Sequence, residues 1–392
     1  MTSQRASTHP LFQARAPSSR APDKTVAEYF AGIGLVRMGL EAAGWRVVFA
    51  NDISAKKLEM YERFFPDAAK HYLVADIHSI DHTAIPPSSL ATCSFPCIDL
   101  SLAGNMRGID GENSSAFWGF ISALSSQGRA APPLVLVENV PGWLSSNKGQ
   151  DFRATVAALN DLGYSCDVFV LDALRFTPQS RLRVFLVGMR GHLSDRDPLR
   201  MLERSSALSN NRLRSAVLAN GDLDWSPLDI PEPPTFSRGG LHAVLEKVPD
   251  AAWWPKNEVD RHIAMMAAIH KTRLSKLMTA DKISFRTFYR RRRNGTMRAE
   301  LRDDDMAGCL RTAVGGSSRQ FIVAAGKGEV RMRDMTPREY ARLQGVADSF
   351  PIDVPKNQAL TGFGDAVCVP VIEWIGIHVL NPLVDELSSL DA

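Results

Sequence analysis

From Lys24 to Arg190 the chain alternates short β-branched or apolar runs with longer amphipathic stretches, the pattern of βα units built on a parallel sheet. The alternation predicts strands over Thr25–Phe30, Trp45–Ala50, Tyr72–Ala75, Thr92–Phe95, Leu134–Val137, Asp167–Leu171 and Arg183–Val187. A first helix is predicted over Leu35–Ala43, ended by Gly44. After Arg190 the alternation fails. Residues 191–328 have uneven hydrophobicity, a proline cluster (Pro231, Pro233, Pro234) and a basic stretch, and are read as a smaller, irregular lobe. Regular structure is expected to resume near Met335, where Thr336, Pro337 and Glu339 have the form of a cap, first turn and acidic start of a helix. The expected organisation is a flexible basic tail (1–24), an α/β domain (25–190), the irregular lobe (191–328) and a C-terminal segment (329–392) that returns to the α/β domain.

A chain of 392 residues exceeds what one core usually supports, which agrees with two lobes. No apolar run reads as long enough to span a bilayer, so no membrane role is expected. Five cysteines (Cys93, Cys97, Cys166, Cys309, Cys368) without CxxC spacing argue against a disulfide framework or a metal site and for a reducing, cytoplasmic setting. The net charge of +3 says little, but ten Lys or Arg against one acidic residue between Lys271 and Arg298, including Arg290, Arg291, Arg292 and Arg293, mark one patch that needs an explanation.

In open parallel sheets, ligands sit beyond the carboxyl ends of the strands. The first strand ends in Phe30, Ala31, Gly32, Ile33, Gly34, where glycines permit a tight turn that brings backbone N–H groups near a ligand. The second ends at Asp52, placed to hold a ribose diol, and the third at Asp76, placed either to take an adenine amino group or to cap the next turn. Arg37 stands where a dinucleotide fingerprint has its third glycine, which favours a nucleoside ligand without phosphates over NAD. The fourth strand leads to Pro96 and Cys97. The fifth ends at Glu138, Asn139, Val140, so a thiol and a carboxylate meet at one edge of the sheet.

With these motifs the chain resembles the DNA cytosine-5 methyltransferase family. The resemblance rests on Phe-Ala-Gly-Ile-Gly at Phe30, Pro-Cys at Pro96, Glu-Asn-Val at Glu138, and Gln-x-Arg-x-Arg at Gln179, Arg181 and Arg183. It continues with Arg333, Met335 to Arg338, Glu339, Arg342, Leu343 and Gln344, then Gly364 to Val367. It implies a Rossmann-like fold with a target recognition domain at 191–328, and S-adenosylmethionine held by Phe30, Gly32, Gly34, Asp52, Ile53, Asp76, Ile77, Pro96, Asp365, Ala366 and Val367. Catalysis falls to Cys97, which adds to carbon 6 of an extruded cytosine, to Glu138 on the base edge, and to Arg181 or Arg183 on the base oxygen or a phosphate.

Double-stranded DNA is the implied substrate, contacted by Ser101 in the loop after Cys97, by Arg290 to Arg293, and by Gly315, Gly316 and Arg319. A monomer with a cognate restriction endonuclease as functional partner is also implied. Three positions depart from the family pattern: Leu35 replaces a glycine, Ile98 a glutamine and Asp365 an asparagine. The Cys-Phe-Thr signature of related tRNA methyltransferases is absent. The other rival is a catalytically silent DNA-binding paralogue, against which the retention of Cys97, Glu138, Arg181 and Arg183 speaks.

Overall fold

A computed structural model describes residues 24–95, 116–190, 197–237, 239–311 and 319–390. The chain divides into two compact units, the first of residues 1–171, 182–233 and 371–392, the second of residues 172–181 and 234–370.

The first unit carries β1 (Thr25–Tyr29), α1 (Leu35–Ala42), β2 (Arg46–Asp52), α2 (Ala55–Phe64), β3 (Tyr72–Val74), β4 (Leu90–Cys93), α3 (Ala116–Gln127), β5 (Leu134–Asn139), α4 (Gln150–Asp161), β6 (Tyr164–Asp172) and β7 (Leu182–Arg190). These strands form a seven-stranded sheet in the order β3-β2-β1-β4-β5-β7-β6. Strands β1 to β5 pair in parallel, as their βα alternation requires. The expectation of an all-parallel sheet fails at β7, which runs antiparallel to β5 and slots between it and β6. Only residues 173–181 separate β6 from β7, too short a link for the helical crossover that a parallel return needs.

Strand β6 begins before the expected Asp167, because Ser165 interrupts the apolar pattern although it is buried, as Asp167 is. Asp167 is tolerated inside because Arg204 pairs with it at 2.5 Å and the Leu228 amide donates to it at 2.7 Å. Arg204 follows α5 (Leu199–Glu203), and beyond α6 (Asn211–Leu218) Trp225 is buried and stacks on Phe152 of α4. These anchors tie residues 197–233 to the first unit, whereas the sequence assigns them to the irregular lobe.

The second unit is not irregular. After α7 (Lys256–Ala264) and α8 (Ala268–Met278), strands β8 (Ser284–Arg293), β9 (Thr296–Leu301), β10 (Gln320–Gly326) and β11 (Glu329–Asp334) form an antiparallel sheet in the order β11-β10-β8-β9. Its core holds Phe288 stacked on Phe321 with Trp254 against both, so Trp254 is a core residue, while Trp253 lies under Arg331 and Arg333. Four arginines in a row hide β8 from a hydrophobicity reading. The helix expected near Met335 is α9 (Pro337–Leu343), capped by Thr336 and Glu339 in a reciprocal box. Glu339 also forms a two-pronged pair with buried Arg333 at 2.5 and 2.8 Å.

The chain ends in α10 (Lys356–Asp365), α11 (Val369–Ile375) and α12 (Asn381–Leu390). Contrary to the sequence expectation, the helical stretch Lys356–Leu387 is by length and composition apolar enough to cross a bilayer. About two thirds of its most apolar window (67%) is buried inside the protein, which suits a core helix.

Candidate active site

At the end of β1 the chain turns through three left-handed residues, Phe30 (φ 60°), Gly32 (φ 58°) and Gly34 (φ 85°). At Phe30 a side chain bears that conformation, a local strain of about 1 kcal/mol or more. Gly34 admits no alternative, since a Cβ there would stand 2.5 Å from Phe65 and 2.7 Å from Tyr61. The Gly32 peptide is held on both sides: its N–H donates to Asp52 Oδ2 at 3.0 Å, and its carbonyl accepts from the Tyr72 hydroxyl at 3.0 Å. Asp52 thus has a task the sequence did not suggest. Its carboxylate is buried, shared among Gly32, the Ser54 amide (2.9 Å) and Lys57 (3.4 Å), and shapes the turn. Tyr72 was missed altogether, because an aromatic in a short strand carries no signal beyond β propensity.

Next to Asp52, Ile53 is 71% exposed, an apolar side chain left in the open beside the glycine turn. Asp76 is exposed and caps the turn Ile77–Ser79 by accepting from the His78 amide at 3.0 Å, while Ile77 is buried. Arg37, the residue in place of a third glycine, is buried beneath the turn, with Nη2 on Asp67 at 3.0 Å, Nη1 on Tyr61 at 3.1 Å and its guanidinium 4.0 Å from the Phe65 ring centroid. A turn of glycines with an exposed apolar residue and an exposed carboxylate at the neighbouring strand ends has the make-up of a nucleoside site.

Glu138, the penultimate residue of β5, meets Arg183 on β7, whose Nε lies 2.9 Å from Glu138 Oε1; the two side chains are 12% and 13% exposed. The antiparallel register that pairs Glu138 with Phe185 brings the start of β7 to the carboxyl end of β5. Asn139 folds back: its Nδ2 donates to the Phe95 carbonyl at 3.3 Å and its Oδ1 accepts from the Val140 amide at 2.8 Å. The segment after β4 is thereby tied to the end of β5. Phe95 is further packed against Phe117 and Trp143. Pro96, Cys97, Ile98 and Ser101 lie outside the described residues, as do Gly315 and Gly316. Cys93 is fully buried, its thiol pushed well above the usual range by burial, which suits a structural role.

Arg181 has a different task from Arg183. Within the second unit its guanidinium donates to the carbonyls of Leu310 (2.7 Å), Ala366 (2.7 Å) and Gly364 (3.4 Å), so it holds backbone and is not open to a base. Gln179 and Gln344 continue this buried network. Asp365 is exposed at the end of α10, and Val367 is buried.

The arginine run is less available than its sequence implies. Arg291 and Arg293 both reach Glu300 on β9, at 2.9 and 2.6 Å, and Arg290 lies over the Phe321 ring at 4.9 Å. Arg292 is exposed, and Arg319 donates to Asn357 at 2.7 Å. Glu300 was not foreseen, since its partners lie across a hairpin.

A family profile described as C-5 cytosine-specific DNA methylase matches residues 24–381. The chain is 27% identical over 361 residues to the type II methyltransferase M.HaeII of Haemophilus aegyptius, covering 92% of this chain and 93% of that protein. It is 22% identical to M.HhaI of Haemophilus parahaemolyticus, covering 91% and 94%. Among solved structures, the Dnmt2 methyltransferase of S. pombe matches with TM-score 0.56 and 17% identity over 92% of this chain and 98% of that one. The Entamoeba histolytica methyltransferase EhMeth matches with TM-score 0.58 and 15% identity over the same shares.

Proposed function

The chain belongs to the C-5 cytosine-specific DNA methylases, which methylate cytosine in DNA with S-adenosylmethionine, and from that premise we propose how its own residues divide the work. The observation that carries the reading is the Glu138–Arg183 pair at adjoining strand ends, with Asn139 binding the segment that leads to Cys97 to the same place.

S-adenosylmethionine, when bound at the turn of Phe30, Gly32 and Gly34 with Ile53 and Asp76 beside it, supplies an electrophilic methyl group. Asp52 and Tyr72 keep the Gly32 peptide in the orientation that the ligand meets. In the second unit, Arg181 and Gln344 fix the backbone at Ala366 and so settle the loop of Asp365 and Val367.

Carbon 5 of cytosine is a weak nucleophile. Cys97 as thiolate bonds to carbon 6 and makes carbon 5 electron-rich, and Glu138 holds the ring nitrogen and exocyclic amino group as charge develops. Arg183 fixes the Glu138 carboxylate and faces the same base. Once carbon 5 is methylated, loss of its proton expels Cys97 and restores the ring. Because carbon 6 is inaccessible within the stack, the base is extruded first, at a cost of a few kcal/mol. The second unit, with Arg292 exposed on β8, reads the DNA site. The enzyme works as a monomer in the cytoplasm of a restriction–modification setting, beside a cognate endonuclease.

Duplex DNA made with 5-fluorocytosine tests the adduct, because fluorine at carbon 5 blocks the final elimination. A denaturation-stable complex with the wild type, formed only with S-adenosylmethionine and absent for Cys97→Ser, is expected. A wild type that methylates ordinary DNA yet forms no such complex overturns the covalent route.

A further inference from the structure

Among the described residues of the first unit, several arginines are paired with carboxylates. Arg153 meets Asp222 at 2.6 Å, Arg200 meets Asp229 at 2.6 Å, Arg204 meets Asp167 at 2.5 Å and Arg37 meets Asp67 at 3.0 Å. Arg212 and Arg214 differ: among the described residues neither lies within ion-pair distance of a carboxylate. They share a groove of about 590 Å³ with Ser206 and Asn211, bounded by Pro141 and Leu182, and no acidic residue lines it. Arg212 is exposed, and its Nη1 donates to the Pro141 carbonyl at 3.3 Å. Arg214 is half-buried and steadied by Ser209 Oγ (3.4 Å) and the Arg204 carbonyl (3.2 Å).

The location gives this charge its meaning. Pro141 stands three residues after Glu138, and Leu182 immediately precedes Arg183, so the groove opens beside the strand ends that carry the Glu138–Arg183 pair. These arginines do not serve their own helix, since cations in the first turn of α6 oppose its macrodipole. A polyanion that approaches Glu138 is what they can serve. Duplex DNA brings one negative charge per about 1.7 Å of helix axis, so any duplex presenting a base to Glu138 carries phosphates past this groove.

We infer that the groove of Arg212 and Arg214 is a phosphate-backbone clamp for the substrate DNA, built into the first unit and separate from the arginine run of β8. The clamp contributes affinity and register without sequence information, because phosphates carry none. It rests on the reading of Glu138 as the residue that meets the cytosine.

The test measures methyl transfer from radiolabelled S-adenosylmethionine to sheared genomic DNA, and binding of a fluorescein-labelled random duplex across about 50 to 200 mM salt. Arg212→Glu is expected to raise KM for DNA about tenfold while kcat changes less than about twofold. It should also flatten the log–log salt dependence of binding by about 0.9 for each phosphate that is no longer neutralised. Arg212→Lys should stay within about twofold of wild type, because holding a phosphate there needs only charge. Affinity for S-adenosylmethionine should be unchanged in both. If Arg212→Glu lowers the melting temperature, Arg212→Gln gives the same comparison with a milder change. Unchanged KM and salt slope in an active, folded variant overturn the clamp and leave the catalytic reading intact. A wild type that transfers no methyl group to DNA overturns that reading and the clamp with it.

Discussion

Arg183 Nε stands 2.9 Å from Glu138 Oε1, joining the start of β7 to the end of β5 inside a mostly buried pair. The contact depends on the antiparallel insertion of β7, since only that direction brings its first residues to the carboxyl ends of the parallel strands. Arg183→Ala should lower kcat by about 100-fold, the scale for removal of one preorganised charged donor. Arg183→Lys should recover little, because a lysine cannot keep the planar geometry of the guanidinium. Single-turnover methylation with both variants checks this; a lysine variant as fast as wild type would show that charge alone suffices.

The clamped Gly32 peptide makes a second prediction. Tyr72→Phe removes one hydrogen bond to a strained turn and should weaken S-adenosylmethionine binding about fivefold, the worth of roughly 1 kcal/mol, with kcat at saturating cofactor unchanged. Calorimetric titration decides it, and equal affinity would mean that Asp52 alone sets the turn.

At Gly34 the constraint is steric as well as conformational. Gly34→Ala places a Cβ against Phe65 and Tyr61 at φ 85°, and should cost about 2 kcal/mol or more in urea unfolding. A variant as stable as wild type would show that the aromatic pair can move aside.

How far the sequence reaches is seen by comparing Glu138 with Asp52. Glu138 is legible because strand order places every β terminus of the parallel set at one edge, and a carboxylate there has few structural reasons to exist. Asp52 obeys the same rule, yet the structure employs it to hold Gly32, a backbone contact twenty residues away that no spacing reveals. The arginine run misleads for a related reason: Glu300 lies across a hairpin from Arg291 and Arg293, so charge counted along the chain overstates charge open to a ligand. Residues 197–233 pack with the first unit through anchors the sequence does not show, since Arg204 on Asp167 and Trp225 on Phe152 are pairwise contacts between distant segments and leave no periodic trace.

Arg204 offers a check on that assignment. Arg204→Ala leaves the Asp167 carboxylate buried without its cation and should destabilise the chain by about 3 to 5 kcal/mol. Asp167 and Arg204 replaced together by an apolar pair should recover much of the loss. If Arg204→Ala alone is neutral, residues 197–233 are not anchored through this pair.

Glu28 links the cofactor turn to pH. It sits in β1 two residues before Phe30, 1% exposed, and burial pushes its carboxyl from 4.5 to about 8, with Arg37 opposing the rise only in part. Between about 4.5 and 8 the folded chain therefore keeps a proton that the unfolded chain has released. The native state binds more protons across this window, so stability falls as pH rises through it, by on the order of a few kcal/mol, and levels off above it. Glu28→Gln keeps the shape and the neutral form but cannot ionise. Urea unfolding at about pH 5 and pH 8 should show a loss for wild type that is much smaller in Glu28→Gln. Equal losses in the two chains would place the pH dependence elsewhere; equal stability at the acidic end, with divergence only as pH rises, would assign it to Glu28.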